Sequence, residues 1–278
     1  MQNPVDIGRV HIGKDCPLAL IAGPCVLENY ESAREIALFL KRLTDRLEIP
    51  FVFKASYDKA NRTALDAFRG PGLADGLRFL EKIKGELNIP VLSDVHGKAE
   101  IEAAAEVLDI IQVPAFLCRQ TDFILAVAQT QKPINIKKGQ FLAPWDMAHV
   151  VEKVTSTGNS QILLTERGTM FGYNNLVVDF RSFQEMQKTG FPVIFDVTHS
   201  IQLPGGAEKS SGGQRDYAPM LARAAVAAGV HGIFMEVHKD PDRALCDGPN
   251  SLKLEDLENL LSQLKTVRKA LTSESGLQ

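Results

Sequence analysis

No two of the four cysteines, Cys16, Cys25, Cys118 and Cys246, stand in a CxxC pair, so the sequence offers neither a local zinc knuckle nor a redox dithiol. No apolar run approaches the ~20 residues that span a bilayer, and the opening MQNPVDIGRV lacks the basic, apolar leader of a secreted chain. The formal net charge of −3 provides no long-range attraction to nucleic acid or to an anionic membrane. These absences predict a soluble cytoplasmic protein with reduced thiols. No Gly-rich GxGxxG turn follows the first apolar run, which disfavours a doubly wound dinucleotide-binding sheet. Nor does an HxH follow it, as a metal-dependent amidohydrolase would require. Linkers, repeats and low-complexity stretches are also lacking, so residues 1–278 are expected to form one domain.

What is present is a rhythm. Hydrophobic residues make up 45% of the chain, and apolar runs of strand length recur at 18–23, 51–56, 89–95, 109–114, 133–139, 161–168, 191–199 and 231–238. Most are separated by stretches of helical periodicity, such as ESAREIALFLKRLTDRL and YAPMLARAAVAAGV. Strands alternating with helices imply parallel βα units, and eight of them in a chain of this length predict a (β/α)8 TIM barrel. Ahead of the rhythm, VDIGRVHIG (5–13) alternates and carries glycines, so the segment 1–13 is expected to form a β-hairpin closing the barrel bottom. The polar tail TSESGLQ (272–278) is expected to fray.

In such a barrel the chemistry sits at the C-terminal ends of the strands. Taken in order, those ends carry Cys25, Lys54, Ser56, Asp94, Gln112, Lys137, Lys138, Glu166, Arg167, Asp196, His199, Glu236 and His238. Charge is costly inside a barrel unless paired or used, so its recurrence at nearly every strand end marks a site. Lys54, Lys59, Arg62, Arg119, Lys137 and Arg167 would converge on anions such as phosphate and carboxylate, enough for two anionic substrates. Lys138 is expected to be an exposed surface cation. Cys25, His199, Glu236 and Asp247 come from strands 1, 7 and 8 and the loop beyond, which are neighbours once a barrel closes. Their mixed S/N/O chemistry suits a divalent transition metal (Zn, Fe, Mn or Co) rather than Mg or Ca. No local ligand motif supports that set, and Cys25 reads equally as a small buried hydrophobe at a Gly-Pro turn. The Gly-rich stretch QLPGGAEKSSGGQ (202–214) follows the strand bearing His199 and is expected as a loop on the same face, a candidate lid.

The motifs FKASYDKANRT, IAGPCVLEN, PAFLCRQTD, INIKKGQF, TERGTMFGYNNLVVDFR, FDVTHS, SSGGQR and CDGPNSL occur in order along nearly the whole chain. Together they resemble the 3-deoxy-D-manno-octulosonate 8-phosphate (KDO8P) synthase family. The resemblance implies a (β/α)8 barrel with an N-terminal hairpin, usually a homotetramer. The implied reaction condenses phosphoenolpyruvate with D-arabinose 5-phosphate and water, in lipopolysaccharide biosynthesis. It implies Lys137 and Arg167 on the phosphate of phosphoenolpyruvate, and Lys54 and Lys59 near its carboxylate and the reacting centre. Asn61 would contact sugar hydroxyls, Arg62 and Thr63 the sugar phosphate, and Arg119 that phosphate across a subunit boundary. Ser56, Asp94 and Gln112 would be supporting polar residues. Lys59, Asn61, His199 and Asp247 are the residues it places closest to the chemistry. The family has a metal-requiring branch and a metal-free branch in which asparagine replaces the residue at the position of Cys25. The cysteine here implies the metal-dependent branch, with Cys25, His199, Glu236 and Asp247 as ligands and Cys246 as a non-ligand. A heptulosonate 7-phosphate synthase, the nearest rival, would carry a KPRT-like segment where this chain has KANR.

Overall fold

The computed structural model describes residues 4–207 and 210–273, without the side chains of residues 207, 210, 211, 272 and 273. Eight parallel strands form a closed ring: β1 (Ala19–Gly23), β2 (Phe51–Lys54), β3 (Val91–Asp94), β4 (Ile110–Val113), β5 (Ile134–Lys137), β6 (Ile162–Glu166), β7 (Val193–Asp196) and β8 (Gly232–His238). Each pairs with its sequence neighbours. The ring closes where Gly232 to Glu236 of β8 register with Ala19 to Gly23 of β1. The fold is thus the expected (β/α)8 barrel, with every strand inside one of the eight apolar runs. The helices outside are α1 (Tyr30–Leu47), α2 (Leu73–Leu87), α3 (Ile101–Val107), α4 (Thr121–Gln129), α5 (Met147–Thr155), α6 (Arg181–Gln187), α7 (Val197–Ser200), α8 (Ala218–Ala227) and α9 (Leu257–Ser273). Among the described residues no helix is long and apolar enough to cross a membrane.

Local chemistry explains the elements. The Asn29 side chain accepts from Ser32 N–H at 2.8 Å and starts α1, whose Ala33, Ile36, Ala37, Leu40 and Leu43 face inward at helical spacing. The strands are apolar on both faces because one packs on helices and the other fills the barrel. On β1, Leu20 and Ala22 join the helix-facing core while Ala19 and Ile21 join the interior.

The interior has two storeys. At the N-terminal end Ile21, Val52, Leu92, Ile110, Leu163, Ile194 and Phe234 meet Val5, Ile7, Val10 and Ile12. The last four belong to an antiparallel hairpin, Val5–Ile7 with Val10–Ile12, which closes the barrel bottom as expected. Burying each such side chain contributes about 1.5–3 kcal/mol. Two residues further along the strands the same inward face turns polar. Val52 is followed by Lys54, Leu92 by Asp94, Ile110 by Gln112, Ile194 by Asp196 and Phe234 by Glu236. The period of two thus delivers a ring of polar groups to the upper mouth. Gly23 completes that storey without a side chain, since a Cβ there would lie 1.9 Å from Lys54 O.

Two local expectations are corrected, and one strand was not anticipated. The seventh strand ends at Asp196 rather than 199, because the Asp196 side chain accepts from His199 N–H and caps the short helix α7. Segment 202–214 contains an antiparallel hairpin, Gln202–Ala207 with Ser210–Gly213, and residues 208 and 209 lie outside the described residues. A short strand beyond the ring, Leu252–Lys253, pairs in parallel with β8 at Val237 and His238. Of the tail expected to fray, residues 274–278 lie outside the described residues.

Candidate active site

A cavity of about 410 Å³ opens at the C-terminal mouth of the barrel. Lys54, Lys59, Arg62, Lys137 and Arg167 line it, from the ends of β2 and β5 and the loops after β2 and β6, together with Asn61, Thr63, Asp94, Gln112, His199 and Asp247. Asn61 and Thr63 are exposed on the loop after β2, whereas Lys54, Lys137 and Arg167 are buried. Three of the cations are paired with acceptors of the barrel interior. Lys54 Nζ donates to Glu236 Oε1 at 2.8 Å and to Cys25 O at 3.0 Å, and Lys59 Nζ stands 3.7 Å from the same Glu236 oxygen. Lys137 donates to Asp196.

Burial and pairing set the charge states. Burial pushes the Lys137 ammonium down to about 8, against the opposing pull of Asp196. For Lys59 burial also works downward, but Cys25, Glu236 and Asp94 reverse it and hold the ammonium well above its ordinary range. Burial alone would raise Glu236, yet Lys54, His199 and Lys59 hold it well below the usual carboxylate range. Asp196 is likewise lowered, burial being overcome by His199 and Lys137. The cavity is therefore lined by a network of paired, charged groups.

At the same mouth the soft and hard donors meet. The donor atoms of His199, Glu236 and Asp247 lie within 4.8 Å of one another, as do those of Cys25, Cys246 and Asp247, and Asp247 belongs to both groups. His199 Nδ1 lies 2.7 Å from Asp196 Oδ2, which turns Nε2 toward Glu236 Oε1 at 3.7 Å and Asp247 Oδ2 at 4.0 Å. Cys25 Sγ stands 3.6 Å from that same Asp247 oxygen. Burial and the adjoining Cys246 thiol push the Cys25 thiol well above its ordinary value, so a cation binding there would displace a proton. Glu236 Oε2 is buried without a hydrogen-bond partner among the described residues. An orphaned carboxylate oxygen in one group and a thiol pair in the other, joined through Asp247, make a mixed O/N/S donor set of a kind that could hold a first-row divalent ion.

The remaining assigned residues divide. Ser56 Oγ donates to Asp94 Oδ1 at 2.5 Å and Asn135 Nδ2 donates to Gln112 Oε1 at 2.9 Å, so Ser56, Asp94 and Gln112 belong to buried networks at the cavity. Arg119 is exposed on the loop after β4 and does not line the cavity of its own chain. Lys138 is a correction. It is fully buried rather than on the surface, outside the ring, where Nζ lies 3.4 Å from Glu166 Oε1 and donates to Thr169 Oγ1 at 3.0 Å.

Three lining residues escaped the sequence analysis. His96 Nε2 lies 3.0 Å from Asp94 Oδ2, Gln140 has a buried Oε1 with no partner among the described residues, and Gln202 joins Arg167 to Asp247. The signal for His96 was its place two residues past a strand-end aspartate. Cys246, set aside as a non-ligand, has its Sγ 2.8 Å from Cys25 Sγ and 2.7 Å from Arg62 Nη1.

Residues 2–273 match the DAHP synthetase I family. The chain is 62% identical over 277 residues to the 2-dehydro-3-deoxyphosphooctonate aldolase of Desulfosudis oleivorans, covering 99% of each chain. It is 60% identical to the protein of that name from Desulfatibacillum aliphaticivorans over 271 residues, 97% of this chain and 99% of the relative. The Geobacter sulfurreducens protein of the same name is 59% identical over 267 residues, 96% of this chain and 98% of its own. With a closed barrel, a cation-lined mouth and full-length likeness of this degree, the chain belongs to the DAHP synthetase I family and, within it, to the 2-dehydro-3-deoxyphosphooctonate aldolases, the enzymes also called KDO8P synthases.

Proposed function

We propose that the chain condenses phosphoenolpyruvate with D-arabinose 5-phosphate and water, giving 3-deoxy-D-manno-octulosonate 8-phosphate and phosphate, as a metal-dependent cytoplasmic homotetramer. The observation that carries this reading is the convergence of Lys54, Lys59, Arg62, Lys137 and Arg167 on one cavity, which the group of Cys25, Cys246 and Asp247 and the group of His199, Glu236 and Asp247 adjoin. Two phosphates and a carboxylate are the anions such a set would neutralise.

In this reading Lys137 and Arg167 hold the phosphate of phosphoenolpyruvate, while Lys54 and Lys59 face its carboxylate. Asn61 hydrogen-bonds sugar hydroxyls, and Arg62 and Thr63 hold the sugar phosphate. C3 of the enol phosphate then attacks the aldehyde, positive charge develops at C2, and water adds there before the C–O bond to phosphate breaks. Lys59 stays cationic through these steps because Cys25, Glu236 and Asp94 hold its proton, so it serves as a fixed charge rather than a base. Cys25, His199, Glu236 and Asp247 would hold a divalent ion, which when bound supplies Lewis acidity toward an aldehyde oxygen or a water. A heptulosonate-forming activity on a shorter aldose phosphate is the rival within the matched family. The KANR segment at Lys59 to Arg62, against the KPRT pattern, favours the pentose phosphate.

The oligomer is supported by apolar exposure. Phe116, Phe141, Trp145, Phe171 and Tyr173 stand exposed on the successive loops after β4, β5 and β6, beside the outward Arg119. Exposed aromatics on one end of the barrel are the kind of feature that protein contacts cover, and a neighbouring copy would bring Arg119 to the sugar phosphate.

The test incubates purified protein with phosphoenolpyruvate and either arabinose 5-phosphate or erythrose 4-phosphate, with and without chelator. Phosphate release stimulated by arabinose 5-phosphate and abolished by exhaustive chelation is the expected result. Release that ignores arabinose 5-phosphate sinks the substrate assignment, and release that survives chelation sinks the metal.

A further inference from the structure

The geometry points to Gln202 as a positioning residue that couples the anion end of the cavity to the candidate metal cluster. Gln202 opens the hairpin strand Gln202–Ala207 and is 9% exposed. Its Oε1 accepts from Arg167 Nη2 at 2.8 Å, and its Nε2 donates to Asp247 Oδ2 at 3.0 Å. A guanidinium offers only donors and an ionised carboxylate only acceptors, so the amide bridges them in one orientation and cannot flip.

Both ends of the bridge face ligands. Arg167 lines the cavity, and its other terminal nitrogen, Nη1, is buried without a hydrogen-bond partner among the described residues. Asp247 Oδ2, the oxygen that takes the Gln202 hydrogen bond, also faces Cys25 Sγ at 3.6 Å and His199 Nε2 at 4.0 Å. An anion accepting from Nη1 fixes the guanidinium plane, hence Gln202, hence the Asp247 oxygen that looks into the cluster. A cation held by Oδ2 fixes the same chain in reverse. Each ligand spares the other part of the ordering cost, and linkage makes the effect equal in both directions. The inference rests on the reading above that Arg167 grips phosphate and Asp247 ligates a metal. Direct attraction between cation and anion adds a coupling that does not pass through Gln202, so the test compares variants.

The experiment uses the full chain stripped of metal, with inorganic phosphate and Mn²⁺ as probes. Calorimetry measures phosphate affinity with and without Mn²⁺, and Mn²⁺ affinity with and without phosphate. The wild type should show mutual tightening on the order of tenfold. In Gln202→Leu, of similar volume, that factor should fall by about threefold or more. Gln202→Glu accepts from Arg167 but cannot donate to Asp247, so it too should lose the coupling, with phosphate binding weakened further by its added negative charge. A Gln202→Leu coupling factor equal to that of the wild type, or no coupling in the wild type, overturns the inference while leaving the site reading intact. Wild-type protein that binds neither probe overturns the site reading itself.

Discussion

Lys54 Nζ lies 2.8 Å from Glu236 Oε1, and both side chains are 1% exposed. They occupy the upper storey on β2 and β8, the two strands that flank β1, each two residues above an apolar interior residue. Breaking a buried pair from one side strands a charge in low dielectric, which costs about 3–5 kcal/mol. Lys59, 3.7 Å from the same oxygen, shares part of the load. Lys54→Met should therefore lower the unfolding free energy by about 3 kcal/mol in urea denaturation, and adding Glu236→Gln should recover a good part of it. A Lys54→Met protein within about 0.5 kcal/mol of wild type would show that the pair carries no such stability.

Cys25 meets the cluster through its sulfur, 3.6 Å from Asp247 Oδ2. Asparagine offers a neutral, harder amide in place of a soft thiolate, which weakens the donor set without emptying the corner. Cys25→Asn should weaken affinity for a divalent ion by about tenfold or more, judged by competition with a chelating dye, while retaining some phosphate release. That residual activity should be less sensitive to chelator than the wild type's. Full chelator sensitivity in the variant would count against Cys25 as the residue on which the metal requirement turns.

Lys137 should make anion binding pH-dependent. Burial brings its pKa to about 8, below the usual lysine range, and Asp196 only partly offsets this. The folded state thus binds fewer protons than the unfolded chain between about 8 and the ordinary lysine value, so this group's contribution to stability rises with pH through that window. Anion binding runs the other way, because it needs the ammonium. From about pH 7.5 to about pH 9.5 the substrate-free protein should lose phosphate affinity on the order of tenfold. Lys137→Arg keeps its charge over that range and should flatten the profile; an equally steep profile in the variant would assign the titration elsewhere.

Much of this site was legible in the chain because a barrel strand has a strict period. Once Val52, Leu92, Ile110, Ile194 and Phe234 are taken as interior, Lys54, Asp94, Gln112, Asp196 and Glu236 must point the same way two residues on. The hairpin was legible for the same reason, its alternation leaving Val5, Ile7, Val10 and Ile12 on one face. What escaped depends on contacts that no period encodes. Lys138 follows Lys137 and so points outward, yet the Glu166 carboxylate and the Gly139 and Leu142 carbonyls bury it. His199 leaves the strand pattern because Asp196 caps a helix there. Gln202 acquires its partners from the loop after β6 and from the loop after β8, segments distant in the chain that meet only when the ring closes.

At the other end of the barrel, His231 offers a pH test independent of the cavity. It is 3% exposed, and its Nδ1 accepts from Val193 N–H at 3.0 Å, an arrangement that requires that nitrogen to be unprotonated. Burial lowers its pKa to about 4, with Arg268 adding to the effect. Below the unfolded value of about 6.5 the unfolded chain gains a proton that the folded chain refuses, so stability falls as pH drops through the window from about 6.5 to about 4. The full difference amounts to about 3 kcal/mol, of which about 2 kcal/mol is lost by about pH 5. His231→Asn retains an acceptor for the Val193 amide and cannot titrate. Urea unfolding at about pH 7.5 and about pH 5 should therefore show a smaller acid loss in the variant than in the wild type, by about 2 kcal/mol. Equal acid losses in the two proteins would mean that His231 takes up its proton within the folded barrel.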